Sequence, residues 1–296
     1  MQQAVDGRCC ILLPRSFSTG QFYFELKIMD LNLVRKFESQ VRQSRQPFMR
    51  WSPVAVVLIG VLGWQAVASL SGLPDFILPS PAQVGSRFLR ATADGSLLRH
   101  TASTLFEVLL GLLVGMLLAT MLGYLIAKSR AFERMISPFL VASQAVPIVA
   151  IAPLLVIWFG PGVFSKVLIC GLIVFFPVLV NTVVGLRAVP RSLYELMRSL
   201  RATRWQVLRQ LEIPAALPVF LGGMRIGATL SVIGGVVGEL IGANSGLGFL
   251  INVARGQYDT ALVFVAVLTL VTLALLLYGI VVLLEKRFLA WQEIHS

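Results

Sequence analysis

The sequence predicts an all-α membrane protein that crosses the bilayer about six times. Its 296 residues are 57% hydrophobic and only 13% charged, whereas soluble domains carry about a quarter charged residues. Several apolar stretches reach the roughly 20 residues that a helix needs to cross the hydrocarbon core. The net charge of +11 does not indicate nucleic-acid binding, because the arginines and lysines cluster in the N-terminal tail and in alternate loops, as membrane orientation requires.

The N-terminal residues 1–48 differ from the rest of the chain, since they are polar and of mixed composition. Their longest apolar run, Cys9–Leu13, is too short for the core of a signal peptide. Met49 is followed by Arg50 and then by a clear span, a common layout for a natural start. We expect residues 1–48 to be dispensable, disordered or outside the native start, with a basic cytosolic tail as the alternative. Residues 49–296 are predicted to form the transmembrane domain.

Six stretches are long and apolar enough to span the membrane. They are 53–71, 103–127, 136–159, 164–186, 215–241 and 261–284. The sequence Gly160-Pro161-Gly162 separates the third and fourth spans and predicts a tight outer turn. Residues 72–102 are too polar to cross, and within them Arg87–Arg99 is predicted to form a short helix at the outer face.

The distribution of lysine and arginine predicts the orientation. With the N-terminus inside, the cytosolic segments hold 19 of these residues and the external segments hold 5, Lys166 among them. Both termini and the loop 187–213 are therefore predicted to lie in the cytosol.

That loop interrupts the apolar chain with a charged, helix-prone stretch that contains six arginines and two carboxylates. Ser192 and Glu195 fit a capping box at a helix start. The apolar residues that follow recur on one helical face. They are Leu193, Leu196, Met197 and Leu200. A second helical piece is predicted from Arg204 to Leu211, just before Pro214. The residues alone leave two interpretations open: a helix resting on lipid headgroups, and a helix docked in a groove of a soluble partner.

The loop resembles the cytoplasmic signature of ABC importer permeases, which reads Glu-Ala-Ala, three residues, Gly, nine residues, Ile-x-Leu-Pro. Glu195 matches the glutamate, Leu196 and Met197 replace the alanines, and Arg201 stands where glycine is usual. The residues that close the pattern are Leu211, Ile213 and Pro214. The stretches Pro147–Gly160 and Gly238–Gly248 are also similar to this family, and the resemblance covers about residues 50–290.

The resemblance implies a type I ABC importer permease fold with a cytoplasmic coupling helix between the fourth and fifth spans. It implies a multi-pass protein of the bacterial inner membrane, surrounded by lipid and paired with a second permease copy as a homodimer. The other implied partners are a dimer of cytosolic ATP-binding subunits, which hold ATP and Mg, and an external substrate-binding protein. The residues that it assigns to ATPase coupling are Ser192, Leu193, Glu195, Leu196, Met197, Leu200, Arg201 and Arg204.

For this chain itself we expect no catalytic residue, no metal site, no bound cofactor and no nucleic-acid partner. The sequence has no phosphate-binding Gly-x-x-x-x-Gly-Lys-Ser/Thr segment, and its three cysteines have no metal-ligand spacing. An enzyme in the membrane would need a convergent set of catalytic groups, and the two histidines, His100 and His295, lie outside the predicted spans.

Arginine at position 201 is the main departure from the family pattern. A glycine there suits a left-handed residue that ends the helix, and arginine in the same conformation adds about 1 kcal/mol of strain. We therefore expect either that the helix ends differently or that Arg201 contacts the ATPase or lipid.

Polar side chains inside spans are costly and usually face protein or a water-filled path. Gln144 and Asn181 are candidate pore-lining residues, with hydrogen bonding between helices as the alternative. Arg225 is expected to pair with a carboxylate or with backbone carbonyls, or to contact substrate. Glu239 is expected to gate the pore, to contact the binding protein or to be solvated at the interface, and Glu107 to reach the headgroups.

Two glycine pairs have the spacing that allows close approach of helices. They are Gly111-x-x-x-Gly115 and Gly234-x-x-x-Gly238, and they suggest a seam between two copies.

The substrate class is inferred from two short stretches that resemble particular members of the family. Ser143–Pro147 and Thr104–Glu107 are most similar to the thiamine-precursor and riboflavin members, which implies a small heterocyclic vitamin or precursor. The alternative is an alkanesulfonate, taurine or nitrate. An ion-coupled secondary transporter is the rival class, but it would need internal repeats and carboxylates at mid-membrane, and no repeat is evident in this sequence.

Overall fold

The computed structural model describes residues 52–145 and 147–289, and these are mostly helical. The predictions for residues 1–48 lie outside the described residues. In chain order the helices are α1 Ser52–Leu70, α2 Pro81–Ala93, α3 Ser96–Lys128, α4 Arg130–Ala145, α5 Ile148–Phe159, α6 Val163–Arg187, α7 Arg191–Ser199, α8 Arg204–Val207, α9 Ile213–Gly242, α10 Leu247–Gly256 and α11 Thr260–Phe288.

Four of the predicted spans coincide with long apolar helices among the described residues. The stretches long and apolar enough to cross a membrane are Ser96–Lys128, Val163–Arg187, Arg204–Gly242 and Thr260–Phe288. They contain the predicted second, fourth, fifth and sixth spans. The first predicted span corresponds to α1, whose apolar part Ala55–Leu70 is shorter.

The predicted third span, 136–159, is wrong as a single helix. It is divided into α4 and α5, and Pro147 is the residue before α5, with φ −68° and ψ 111°. Proline disfavours helical geometry in the residue before it and offers no N–H for the helical ladder. The break follows from that chemistry, although Pro138 and Pro153 are accommodated inside α4 and α5.

The segment before the second span forms more helix than predicted. The helix α2 begins at Pro81 rather than at Arg87, because Ser80 and Gln83 cap it reciprocally: the Gln83 N–H donates to Ser80 Oγ at 3.3 Å and the Ser80 N–H to Gln83 Oε1 at 2.8 Å. Gly95, with φ +70°, separates α2 from α3.

The helix α6 lies at the centre of the core, between α3 and α9. Cys170 of α6 is fully buried, and glycines of both neighbouring helices face it or adjoin it. A Cβ added to Gly115 would lie 2.6 Å from the Gly171 carbonyl oxygen, and one added to Gly234 would lie 2.8 Å from Cys170 Cα. Gly111 and Gly238 are buried in the same crossings. The two glycine pairs therefore serve packing within one chain, and a seam between copies at these positions is wrong.

Candidate functional site

The cytosolic loop contains the predicted helix, but the start of that helix differs from the prediction. Pro190 precedes the first helical residue, Arg191, and α7 has no side-chain cap at this end. Ser192 lies inside the first turn, so its predicted capping box with Glu195 is wrong. An N-cap residue needs extended backbone angles, and Pro190 already has them, with φ −61° and ψ 139°.

A reciprocal capping box does occur in this loop, at the start of the second helical piece. The Gln206 N–H donates to Thr203 Oγ1 at 3.3 Å, and the Thr203 N–H donates to Gln206 Oε1 at 2.8 Å. Helix α8 then continues through a π-helical turn, Leu208–Glu212, into α9. The predicted helical piece from Arg204 to Leu211 is thus confirmed as helix, and it is continuous with the helix of the predicted fifth span.

Arg201 adopts the left-handed conformation that glycine would favour, with φ +52°. The Arg201 N–H donates to the Arg198 carbonyl at 2.9 Å, and the Ala202 N–H donates to the Met197 carbonyl at 3.0 Å. This pair of hydrogen bonds is the Schellman motif, which satisfies the last carbonyls of a helix. Helix α7 therefore ends with the backbone conformation that glycine usually provides, and arginine in this conformation carries about 1 kcal/mol of strain.

The two faces of α7 have opposite character. The apolar face carries Leu193, Leu196 and Leu200, which are 38%, 54% and 68% exposed. Arg191, Tyr194 and Arg198 lie on the other face, because residues three and four apart share one side of a helix. An apolar surface that is exposed to water is unfavourable, so this face is suited to a partner.

Tyr194 anchors the opposite face of α7 to two long helices. Its ring lies 5.8 Å from the Lys128 ammonium, and Lys128 forms an ion pair with Glu212 in the π-helical turn. Glu212 is completely buried. Burial and the neighbouring Glu212 carboxylate raise the pKa of Tyr194 to about 12, so its phenol stays neutral at physiological pH. The cluster of Lys128, Tyr194 and Glu212 links the middle of α7 to the end of α3 and the start of α9.

Sequence reasoning missed this cluster. Its available signal was Glu212, one of the two carboxylates among six arginines in residues 187–213. A carboxylate beside the start of a span needs a cation, and Lys128 at the end of the second span is suitably placed. Of the predicted coupling residues, the structure brings Glu195, Arg201 and Arg204 to the lining of one pocket, together with Tyr194 and Lys128.

Arg225 pairs with a carboxylate, one of the predicted outcomes. Its guanidinium donates through two nitrogens to Glu285 of α11, so the pair joins α9 to α11. Both side chains are partly buried. This ion pair gives Arg225 a structural role inside the span, and its presence there needs no contact with substrate.

Near the outer ends of the spans, buried charges meet in one cluster. The Lys166 ammonium of α6 pairs with Glu107 of α3, and the exposed fractions of the two residues are 3% and 1%. Glu239 of α9 is equally buried, at 1%. The expectation that Glu107 reaches the headgroups is therefore wrong, as is interfacial solvation of Glu239, and Lys166, counted among the external cations, is buried. A buried ammonium and carboxylate require each other, and this requirement outweighs their nearness to the span ends.

Glu239 and Thr104 hold the glycine-rich segment between α9 and α10. The Thr104 hydroxyl donates to Glu239 Oε1 at 2.7 Å and accepts from the Leu247 N–H at 2.8 Å. The Gly248 N–H donates to Glu239 Oε2 at 2.6 Å. A Cβ on Gly246, where φ is +113°, would overlap the Glu239 carboxylate. This segment has to be glycine-rich because it lies directly on a buried carboxylate.

His100 adds a further contact to the same segment, since its Nδ1 accepts from the Gly246 N–H at 3.1 Å. It lies within α3 and is buried, not outside the helix as its position before the predicted span suggested. These contacts make a buried polar cluster, the outer cluster, of His100, Thr104, Glu107, Lys166 and Glu239.

Of the two predicted pore-lining residues, only Asn181 has a described side chain. The Asn181 side-chain amide donates to the Pro177 carbonyl of its own helix at 2.8 Å, and a Cβ on Gly223 would lie 2.6 Å from Asn181 Cβ. Asn181 thus packs at the contact of α6 with α9. Gln144 lies in the last turn of α4, and its side chain is outside the described part of the chain.

Comparison with known proteins agrees with this geometry. Residues 108–290 match the family described as the binding-protein-dependent transport system inner membrane component. The chain belongs to the ABC importer permease family. It is therefore a multi-pass inner-membrane permease, of a class that acts with an ATPase and a binding protein.

Individual relatives carry different substrate names. The permease is 49% identical over 240 residues to the riboflavin transport system permease protein RibX of Chloroflexus aurantiacus, covering 81% of this chain and 89% of the relative. It is 35% identical over 249 residues to the formylaminopyrimidine transport permease protein ThiX of Halalkalibacterium halodurans, covering 84% and 99%. It is 31% identical over 270 residues to the taurine transport system permease protein TauC of Escherichia coli, covering 89% and 98%.

Solved structures show the same fold. The permease matches a chain of the MetNI methionine ABC transporter, solved in inward-facing conformations, with a TM-score of 0.59 and 18% identity. The match covers 67% of this chain and 98% of that chain. The type I importer permease fold predicted from the cytosolic loop is confirmed.

Proposed function

We propose that α7 is the coupling helix of this permease and that its apolar face binds a cleft of the cytosolic ATPase. The observation that carries the proposal is the exposure of Leu193, Leu196 and Leu200 on one face, opposite the face that Tyr194 anchors. Insertion of such a face into a groove is a common mode of helix recognition. Ser192 and Glu195 at the start of the helix would contact the rim of the cleft.

The anchored face explains how ATPase movement reaches the membrane. A pull on α7 acts through Tyr194 on Lys128 and Glu212, and hence on the ends of α3 and α9. Two permease copies, each with its own α7, would be drawn together when the ATPases close on ATP. The long helices would then rock between inward-facing and outward-facing states, while the permease itself hydrolyses nothing.

The proposed orientation places both termini and α7 in the cytosol. It rests on the 19-to-5 distribution of lysine and arginine. Lys166 proves to be buried, so the external segments hold even fewer solvent-facing cations than the sequence alone suggests. The outer cluster then lies at the external side, where Glu239 and the segment 243–248 would close the pore and face the binding protein.

We propose riboflavin as the substrate, with a thiamine pyrimidine precursor next. The proposal rests on 49% identity to a riboflavin permease and 35% identity to a formylaminopyrimidine permease. The alternative is taurine or an alkanesulfonate, favoured by 31% identity to a taurine permease.

The docking proposal is tested by charge on the apolar face. Leu196→Asp together with Leu200→Asp should abolish recovery of the ATPase with the affinity-purified permease, because two carboxylates cannot be buried in an apolar cleft. The matched control, Gln210→Asp, adds charge to the exposed surface of the same loop outside this face and should retain the ATPase. Full recovery with the leucine variant would refute the docking role.

Coupling and substrate are tested in one reconstituted system. Proteoliposomes that contain the permease, its ATPase and its binding protein should take up riboflavin on addition of ATP. Glu195→Lys should keep ATP hydrolysis and lose uptake. Uptake of taurine in place of riboflavin would overturn the substrate assignment and leave the coupling role intact.

A further inference from the structure

A second cytosolic feature, distinct from the apolar face of α7, is a pocket of about 850 Å³ between α7, α8 and the end of α3. Positive side chains and two tyrosines dominate its lining. The lining residues are Tyr124, Lys128, Arg191, Tyr194, Glu195, Arg198, Arg201, Ala202, Arg204 and Val207. We call it the basic pocket.

The charges of the basic pocket do not balance. Glu195 is the single carboxylate in a lining that holds five cations, and Lys128 already has Glu212 as its partner. Among residues 52–145 and 147–289, no ion pair involves the four arginines of this lining. Four like charges around one concavity favour capture of an anion.

Apart from Glu195 at its edge, the basic pocket is separate from the apolar face proposed to enter the ATPase cleft. Arg191 and Arg198 lie on the same side of α7 as Tyr194, which points to the end of α3. Leu196 and Leu200 project from the opposite side. An ATPase cleft that receives the leucines leaves the arginines directed at the membrane helices.

The position and donor types of the pocket favour phosphate over other anions. Guanidinium groups bind phosphate oxygens through paired hydrogen bonds. Lys128 ends a membrane-spanning helix, so the pocket lies at the level of the inner headgroups, where anionic lipid concentrates. Tyr124 and Tyr194 supply aromatic walls.

We propose that the basic pocket binds a phosphate-bearing anion, drawn either from an anionic lipid headgroup or from a soluble phosphate ester. The bound phosphate bridges the arginines of α7 and Arg204 of α8. It thereby holds α7 against the end of α3, where Tyr194 already makes contact.

Binding is measured on the full-length permease without ATPase, in nanodiscs of net-neutral phosphatidylcholine. One arm adds pyrophosphate to the solution, and the other replaces part of the lipid with phosphatidylglycerol. Melting temperature reports binding in both arms. We expect a rise in at least one: a rise with phosphatidylglycerol alone identifies a lipid site, and a rise with pyrophosphate identifies a site for soluble phosphate esters. No rise in either arm overturns the proposal.

Variants separate the pocket from general surface charge. Arg191→Gln with Arg198→Gln should weaken binding by about tenfold for each guanidinium that no longer pairs with the phosphate. The control, Arg209→Gln with Lys286→Gln, removes equal charge from exposed cytosolic positions outside the pocket and should bind as the wild type does. Equal weakening by both double variants overturns the proposal in favour of bulk attraction.

A last outcome distinguishes binding of phosphate by these arginines from contact of the same arginines with an acidic surface of the ATPase. If Arg191→Gln with Arg198→Gln releases the ATPase and leaves phosphate binding unchanged, the arginines belong to the ATPase interface and the phosphate site is refuted. Because the binding arms contain no ATPase, failure of the docking role of α7 leaves them unaffected.

Discussion

Lys128, the last residue of α3, donates to the completely buried carboxylate of Glu212, the residue directly before α9. The two partners differ in environment, since 44% of the Lys128 side chain is exposed and none of the Glu212 side chain is. Loss of the lysine would leave a buried charge alone, whereas loss of the carboxylate would leave a lysine that water can reach.

This asymmetry predicts unequal effects of the two substitutions. Lys128→Met should destabilise the permease by about 3–5 kcal/mol, because the Glu212 charge stays buried without its cation. Glu212→Gln should cost about 1.5–3 kcal/mol, in the range of one charged hydrogen bond. Melting temperatures in nanodiscs should therefore rank wild type, Glu212→Gln and Lys128→Met in descending order.

The double variant supplies the control for this pair. Lys128→Met with Glu212→Gln should melt above Lys128→Met alone, because the unpaired carboxylate is gone. A double variant that melts lower than Lys128→Met would show that the ion pair does not determine the order.

The left-handed backbone of Arg201 predicts that glycine at this position increases stability. Arg201→Gly should stabilise the end of α7 by about 1 kcal/mol, since glycine adopts φ +52° without strain. Hydrogen exchange of the Arg201 and Ala202 amides, which form the Schellman motif, should slow by about fivefold. Arg201→Ala removes the same charge but keeps the Cβ, so it should leave exchange unchanged. Slowing by both variants would assign the effect to charge and not to backbone conformation.

The pH dependence of Tyr194 follows from its surroundings. Burial and the Glu212 charge raise its pKa to about 12, above the ordinary value of about 10. Because the folded protein favours the neutral phenol, this stabilisation is complete below about pH 10 and is lost as the pH rises toward 12. Tyrosinate absorbance of the wild type minus that of Tyr194→Phe should titrate near pH 12. Glu212→Gln should lower that midpoint, and an unchanged midpoint would exclude the carboxylate as a cause.

Much of the fold was predictable because long apolar runs and glycine-proline turns are local signals. The predicted capping box at Ser192 does not form, because Pro190 is already the N-cap residue of the helix. Proline chemistry predicts interruption at Pro147, Pro153 and Pro177 alike, but only Pro147 breaks the helix, whereas Pro153 and Pro177 are tolerated inside α5 and α6.

The buried contacts were harder to predict than the spans. Glu107 and Lys166 are distant in sequence, and each alone is typical of an exposed residue near a span end. Only the packing of α3 against α6 makes them partners. Helix α7 was recognisable from its signature, whereas its contact through Tyr194 with Lys128 and Glu212 depends on where α7 meets the end of α3 and the start of α9.

The hydroxyl of Thr104 is expected to hold the glycine-rich segment between α9 and α10 in place. Thr104→Val keeps the shape of the side chain but removes the hydroxyl that joins Glu239 to the Leu247 N–H. Two buried groups lose a partner, at about 1–3 kcal/mol each. A single cysteine placed at Ser245 should therefore react faster with a water-soluble thiol reagent. Thr101→Val is the matched control, because the Thr101 hydroxyl donates only to the Leu97 carbonyl of its own helix. Equal acceleration by both would refute the role of Thr104.

The crossing of α3 with α6 predicts a strict requirement for glycine at position 115. A Cβ there would lie 2.6 Å from the Gly171 carbonyl oxygen, and the obstacle is backbone, which cannot rotate aside. Gly115→Ala should therefore separate the helices and destabilise the permease by about 1–3 kcal/mol. Gly279, inside α11, has no atom within 4 Å of such a Cβ, so Gly279→Ala should be neutral or slightly stabilising. Melting temperatures of the two variants give the comparison, and a wild-type melting temperature for Gly115→Ala would show that α3 and α6 do not cross this closely.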